Sequence, residues 1–236
     1  MTRAIHVGLM VPINNTTFER EALGWMTPGS KQTVFKIPRG KGLLTPETIG
    51  PYKAQALALG AGFANTDVDV VAYGCTAAGF IDGPEGDAEL AREMSRVSGK
   101  PVVTTAHSMV AILQEAQVKR IGLITPYLEA VNEQLKQFLL AGGIEVLSFD
   151  SFYAGDVDTL GRITAKEVYD LAIKTMTPDC EAMFIACAQL PTLSILAQLQ
   201  EVLGKPVFSS NWGTMVQAAK ALSTTQSSTA RKVVQV

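Results

Sequence analysis

The sequence predicts an α/β fold built twice: two pseudo-symmetric lobes, each a mainly parallel four-stranded sheet flanked by helices, with a cleft between them. Three observations predict it. Short apolar runs bounded by turn chemistry, such as Val70-Val71-Ala72-Tyr73 and Met183-Phe184-Ile185-Ala186, have the pattern of buried parallel strands. Stretches of helical periodicity separate these runs, the alternation of a wound α/β sheet. The chain then repeats itself: Pro12 and Pro126 are 114 residues apart, Cys75 and Cys187 are 112 apart, and two Gly-Lys-Pro turns (from Gly99 and Gly204) are 105 apart. Any two α/β lobes share periodicity, but matching landmarks in one order indicate an internal duplication.

In chain order, residues 4–11 form a strand that stops at Pro12, and the loop Pro12-Ile13-Asn14-Asn15-Thr16-Thr17 follows. Thr16 or Thr17 caps a helix starting near Phe18, with Glu19 and Glu21 at the positive end of its dipole. Residues 33–37 are a strand, Arg39-Gly40-Lys41-Gly42 a flexible basic loop, and Thr45-Pro46 an N-cap and first helical position for a helix to about residue 65. A strand over 68–73, a loop over 83–87, a helix over 88–97, a strand over 102–104 and a helix over 108–116 complete the first half. The second half has strands at 121–125, 144–149, 181–186 and 207–209. Its helices are expected over 127–140 and 164–176, with another ending over 198–203 and a last one over 214–222. The expected lobes are residues 1–117 and 118–222, with a frayed polar tail over 223–236.

Composition narrows the function classes. With 236 residues, 47% hydrophobic and 18% charged, the chain suits a compact globule with a sizeable core. A formal charge of −2 without a basic run argues against nucleic acid as a partner. Apolar stretches are too short to span a membrane, and Met1-Thr2-Arg3 runs straight into a strand instead of a signal peptide, so a cytoplasmic protein is expected. Three cysteines do not make a disulfide framework and suit a reducing compartment.

Cys75 and Cys187 each end a key strand where a tight turn leads into a helix. Ligands of open α/β sheets bind at such carboxyl ends. Lobes related by a pseudo-twofold would place the two thiols on opposite sides of one cleft. Taken singly, each reads as a buried core cysteine; the paired placement points to chemistry. A helix N-terminus can lower a thiol's pKa, so one sulfur could act as base or nucleophile while the other stays protonated as an acid. Cys180, after Pro178-Asp179, reads as structural. His6 and His107 lie at no metal-ligand spacing, so no metal is expected, although His107 at a strand end could reach the cleft. Neither GxGxxG nor a Walker loop is present, so no cofactor is implied. Around the thiols, the backbone N–H groups of Thr76, Ala77, Ala188 and Gln189 and the side chains of Asn14, Asn15 and Tyr127 suit a small carboxylate. Asn14 and Asn15 equally suit turn and cap duty, and Tyr127 equally suits packing.

The stretch Val11-Pro12-Ile13-Asn14-Asn15-Thr16-Thr17-Phe18-Glu19 resembles the Val-Pro-Ser-Ser-Asn-x-Thr segment of maleate cis–trans isomerases. Gly74-Cys75-Thr76, Thr125-Pro126-Tyr127 and Ala186-Cys187-Ala188 are similar to later motifs of that group, which belongs with arylmalonate decarboxylase in the aspartate/glutamate racemase superfamily. The resemblance implies Rossmann-like lobes, no cofactor, and catalysis by the cysteine pair: Cys75 adds to the alkene carbon, Cys187 handles the proton, and Asn15 and Tyr127 hold carboxylates. Maleate-to-fumarate isomerisation is the leading expectation; a racemase or arylmalonate-type decarboxylase, and a non-catalytic carboxylate-binding module, are the others. Cys75 stands where the decarboxylase has glycine. Val157 falls where maleate isomerases carry asparagine, and Cys187-Ala188-Gln189-Leu190-Pro191 has the decarboxylase's length. Family members are often oligomers, so a homo-oligomer is left open.

Overall fold

A strand can be apolar along its whole length only where both faces of its sheet are covered. The computed structural model, which describes residues 3–39, 42 and 44–233, puts the two apolar runs in that position. The strands are β1 (His6–Pro12), β2 (Lys31–Ile37), β3 (Val70–Tyr73) and β4 (Val102–Thr104), then β5 (Arg120–Thr125), β6 (Glu145–Ser151), β7 (Ala182–Ile185) and β8 (Val207–Ser209). They form two four-stranded sheets of order β2-β1-β3-β4 and β6-β5-β7-β8, parallel throughout. β3 and β7 are inner strands, every residue buried. β2 and β6 are the half-exposed edges that begin with Lys31 and Glu145, charges that suit an edge.

Parallel pairing requires long crossovers, and helices supply them. They are α1 (Thr17–Glu21), α2 (Pro46–Gly60), α3 (Thr76–Phe80), α4 (Gly83–Ser98), α5 (Thr105–Glu115), α6 (Glu129–Ala141), α7 (Val157–Arg162), α8 (Ala165–Thr175), α9 (Leu196–Leu203) and α10 (Ser210–Val233). The cap expected at Thr45 is present: the Thr48 hydroxyl accepts the Thr45 N–H at 2.9 Å, and Pro46 takes the first helical position. A 3₁₀ turn carries the segment on to Asn65. The expected loop over 83–87 is instead the first turn of α4. Gly83 absorbs a left-handed φ of 72°, after which Pro84 is already preset for the helix. Residues 40 and 41 of the basic loop lie outside the described residues.

The last helix departs furthest from expectation. It starts directly after β8 and runs past residue 222 to Val233, because a helix docked by its first half continues through Ser and Thr at small cost per residue. Its docking face crosses over to the other half of the chain. Met215 and Ala218 are buried with Ile5, Val7, Leu9, Val11, Val70 and Ala72, so the second half's final helix covers a face of the first sheet. Where α5 and α10 begin, the Thr214 hydroxyl meets the Thr105 hydroxyl at 3.1 Å. Among the described residues no helix is long and apolar enough to cross a membrane.

Replacing Phe184, fully buried on β7, by alanine is expected to cost about 3–5 kcal/mol, read as a drop in the urea midpoint at unchanged slope.

Candidate active site

β3 ends at Tyr73 and β7 at Ile185, and each cysteine sits two residues further on. Gly74 makes the first turn possible. Its N–H donates to Met10 O at 2.7 Å, and a Cβ there would come within 2.9 Å of Met10 O, Phe18 and Val11. Cys75 then caps α3 in an extended conformation. Cys187 is held at a φ of 146°, a strained backbone for a side-chain-bearing residue, of the kind that persists where the surroundings over-determine it. The residues that begin the following helices anchor both turns. Thr105 donates through its hydroxyl to Tyr73 O at 3.0 Å, and the Ser210 hydroxyl accepts the Cys187 N–H at 3.1 Å.

One narrow cavity of about 60 Å³ receives both turns. Cys75, Cys187, Asn15, Thr76, Ala77, Tyr127, Ala188 and Gln189, all expected at the site, line it together. Asn14, Arg39 and an apolar wall of Leu44, Val131, Val157 and Leu160 complete it. The thiols are 5% and 8% exposed, so a bound molecule would meet them with little intervening water.

Hydrogen bonds tie the Cys187 turn to the first lobe. Ala188 N–H donates to Thr76 Oγ1 at 3.1 Å, and Thr16 N–H to Gln189 Oε1 at 3.1 Å. Glu21, the last residue of α1, is buried and accepts from four neutral donors: Thr192 N–H at 2.7 Å, Leu193 N–H at 2.9 Å, Asn211 Nδ2 at 3.0 Å and Thr192 Oγ1 at 3.2 Å. A second buried network fixes Tyr127. The Thr125 hydroxyl contacts Asn132 Oδ1 at 2.5 Å and Ser151 Oγ at 3.1 Å, while Asn132 Nδ2 and Ser151 Oγ both donate to Tyr127 O at 2.7 Å.

Burial dominates the electrostatics. It pushes the Cys75 thiol up, against the opposing pull of the Tyr52 hydroxyl, the Ala78 N–H and the Arg39 charge. Cys187 is pushed up to about 11, by burial first, with the Gln189 N–H and Tyr127 hydroxyl working the other way and Cys75 adding to the rise. The lowered thiol pKa expected from a helix N-terminus is therefore not what the fold produces. α3 has only five residues, and its few N–H groups do not outweigh desolvation. The Tyr127 phenol is likewise held well above its usual range, chiefly by burial, so it remains an O–H donor. Its ring packs edge-on against Phe80 at 5.6 Å. Among the described residues the Tyr52 and Tyr127 hydroxyls have no partner of ordinary hydrogen-bond geometry, and they sit beside the sulfurs of Cys75 and Cys187 respectively.

Some expected donors have other work. Asn15 Oδ1 caps α1 by accepting the Phe18 N–H at 3.0 Å, so the residue both caps and lines the cavity, with its amide NH₂ as remaining donor. Ala188 N–H is occupied by Thr76, and Gln189 N–H faces Cys187 Sγ at 3.4 Å. His107 does not reach the cleft: it is exposed on α5, its N–H bound to Thr104 Oγ1 at 3.1 Å. Cys180 lies at the opposite end of β7, buried between the Ser148 and Thr177 hydroxyls at 3.2 Å each. His6, at the start of the inner strand β1, contacts Thr33 Oγ1 at 2.9 Å and Asp67 at 3.1 Å. Arg39, Tyr52 and Glu21 were not expected at the site. The basic loop was a signal for Arg39, but Tyr52 and Glu21 are placed by packing that no local pattern encodes.

Fold and site together define a two-lobed α/β protein with an opposed thiol pair at its strand ends. The chain belongs to the arylmalonate decarboxylase family, whose model matches residues 44–234. It is 26% identical over 234 residues to a maleate isomerase of Geobacillus stearothermophilus, covering 94% of this chain and 93% of that one. Among solved structures it resembles a maleate isomerase from Pseudomonas putida S16 determined with maleate, with TM-score 0.84, 22% identity, and coverage of 94% and 93%. It also resembles a cysteine-to-serine mutant of Nocardia farcinica maleate cis–trans isomerase carrying a covalently bound succinylcysteine intermediate, with TM-score 0.84, 22% identity and 94% coverage of both chains.

In the ligand-free protein, alkylation of Cys187 by iodoacetamide should still be accelerating at pH 10. A free thiol of pKa about 8.5 has levelled off by then; peptide mapping of the labelled sites gives the profile. Glu21→Ala leaves buried donors on Thr192, Leu193 and Asn211 without an acceptor and should cost on the order of 3 kcal/mol. The same change should loosen the Cys187 turn, seen as faster hydrogen exchange at residues 187–193.

Proposed function

We propose that this protein is a cofactor-independent isomerase of a small unsaturated dicarboxylate, converting maleate to fumarate. The observation that carries this reading is that both thiols line one cavity of small-metabolite size. It is supported by the likeness to maleate isomerases along nearly the whole chain, and by the succinylcysteine held in the structure of one of them.

The environments of the two sulfurs divide the labour. Burial pushes both thiols up; each has a hydroxyl and a backbone N–H opposing it, but Cys75 also has the Arg39 charge drawing it towards thiolate, whereas the neighbouring Cys75 sulfur raises Cys187 further, to about 11. Cys75 thiolate adds to one alkene carbon, and the π electrons move to its neighbour. That carbon takes the proton from the Cys187 thiol, leaving a succinyl adduct on Cys75 and a thiolate on Cys187. Rotation about the new carbon–carbon single bond, return of the proton to Cys187 and departure of Cys75 give fumarate. No electrons are gained or lost. Thr76, Ala77, Asn15, Tyr127, Ala188 and Gln189 line the cavity beside the thiols; Asn15 through its amide NH₂ and Tyr127 through a phenol that does not ionise are the donors for a carboxylate, the Ala188 N–H being taken by Thr76. Decarboxylation of a malonate needs one proton donor and would leave Cys75 without a task.

Purified protein incubated with maleate should release fumarate, followed by proton NMR. Cys75→Ala should abolish turnover. Cys187→Ser should retain binding but lose at least about a hundredfold in kcat and accumulate an adduct on Cys75, seen as added mass. Absence of fumarate from the wild type overturns the reading.

A further inference from the structure

The cavity is lined by polar donors, among them Thr76, Tyr127 and the Cys187 turn, and by the apolar side chains of Leu44, Val131, Val157 and Leu160. A second carboxylate pressed against those apolar side chains with no opposite charge would lose its hydration without replacement. A charged side chain in the lining can supply what they lack. Arg39 follows β2 and lines the cavity beside Leu44. Its Nη2 donates to Gly42 O at 2.6 Å, which holds the guanidinium in place, while its Nε is buried and has no hydrogen-bond partner among the described residues. A buried, unsatisfied N–H of a guanidinium is costly unless a ligand completes it. The nearest cation along the strand cannot substitute, because Lys36 is held by Asn15 O at 2.7 Å and by the Glu19 carboxylate.

We propose that Arg39 binds the second carboxylate of the substrate, on the Cys75 side of the cavity, and so selects dicarboxylates over monocarboxylates. The inference rests on the dicarboxylate reading above, and it adds the residue and the chemistry that distinguish a diacid. The same charge draws on the Cys75 thiol, so the group that recognises the substrate also readies the sulfur that attacks it. Arginine suits the position because its planar fork can take a carboxylate through two parallel N–H donors, which a lysine cannot.

Isothermal titration with succinate and with butyrate tests this without requiring turnover. Both are unreactive four-carbon acids, and only succinate has a second carboxylate. Wild-type protein should bind succinate roughly ten- to a hundredfold more tightly than butyrate. Arg39→Met should erase that preference by weakening succinate alone, and Arg39→Lys should restore part of it. Equal affinity of the wild type for the two acids, no succinate binding, or equal weakening of both by Arg39→Met overturns the role of Arg39. Failure of the wild type to isomerise maleate, with the succinate preference intact and dependent on Arg39, sinks the isomerase reading and leaves this one standing.

Discussion

Ala188 N–H to Thr76 Oγ1 is a single bond of 3.1 Å between residues 112 positions apart, and the site depends on it and its neighbours. It joins the two turns that carry the thiols. Without such ties the lobes would share only apolar surface, which is strong but not directional. Apolar packing can bring two strand ends near one another; it cannot set which atoms of each face a common ligand. That directional task falls to a short list of polar contacts, the Glu21 carboxylate above all. Glu21 reaches from the first lobe to hold the loop after Cys187 through four donors. The strained φ of Cys187 belongs to this arrangement, since a residue stays in such a conformation only when its neighbours leave no alternative.

The same burial that positions the thiols also silences them. Desolvation disfavours the charged form of any acid, and both sulfurs lie almost out of reach of water. Reactivity must then come from groups that oppose burial at one sulfur more than at the other. Around Cys75 these are Arg39, Tyr52 and an α3 N–H. Around Cys187 the Gln189 N–H and the Tyr127 hydroxyl also oppose burial, but the nearby Cys75 sulfur works in the opposite direction. Two residues of one type thus acquire different roles from their surroundings. Equivalent positions at the two strand ends do not have equivalent environments.

Where sequence reasoning succeeded, the cause was local. The apolar runs of β3 and β7, the Thr45-Pro46 cap, and the strand ends carrying Cys75 and Cys187 are written in consecutive residues. Where it fell short, the cause lay elsewhere in the chain. The start of α4 at Gly83 was mistaken for a loop because Gly and Pro mark turns and helix starts alike. The reach of α10 was cut short because its polar residues gave no sign of the sheet its apolar face would meet. Arg39 stands in a basic loop, and nothing in its neighbours along the chain says which cavity its side chain lines.

By itself the sequence determined two parallel four-stranded sheets and a cysteine just past an inner strand of each, because period, turn residues and strand length are properties of short segments. Tertiary structure decided the rest. It set the crossing of α10 onto the first sheet, the recruitment of Glu21, Tyr52 and Arg39 to the thiols, and the upward shift of both sulfurs. Those outcomes depend on which surfaces are removed from water together, and that is settled only when distant segments meet.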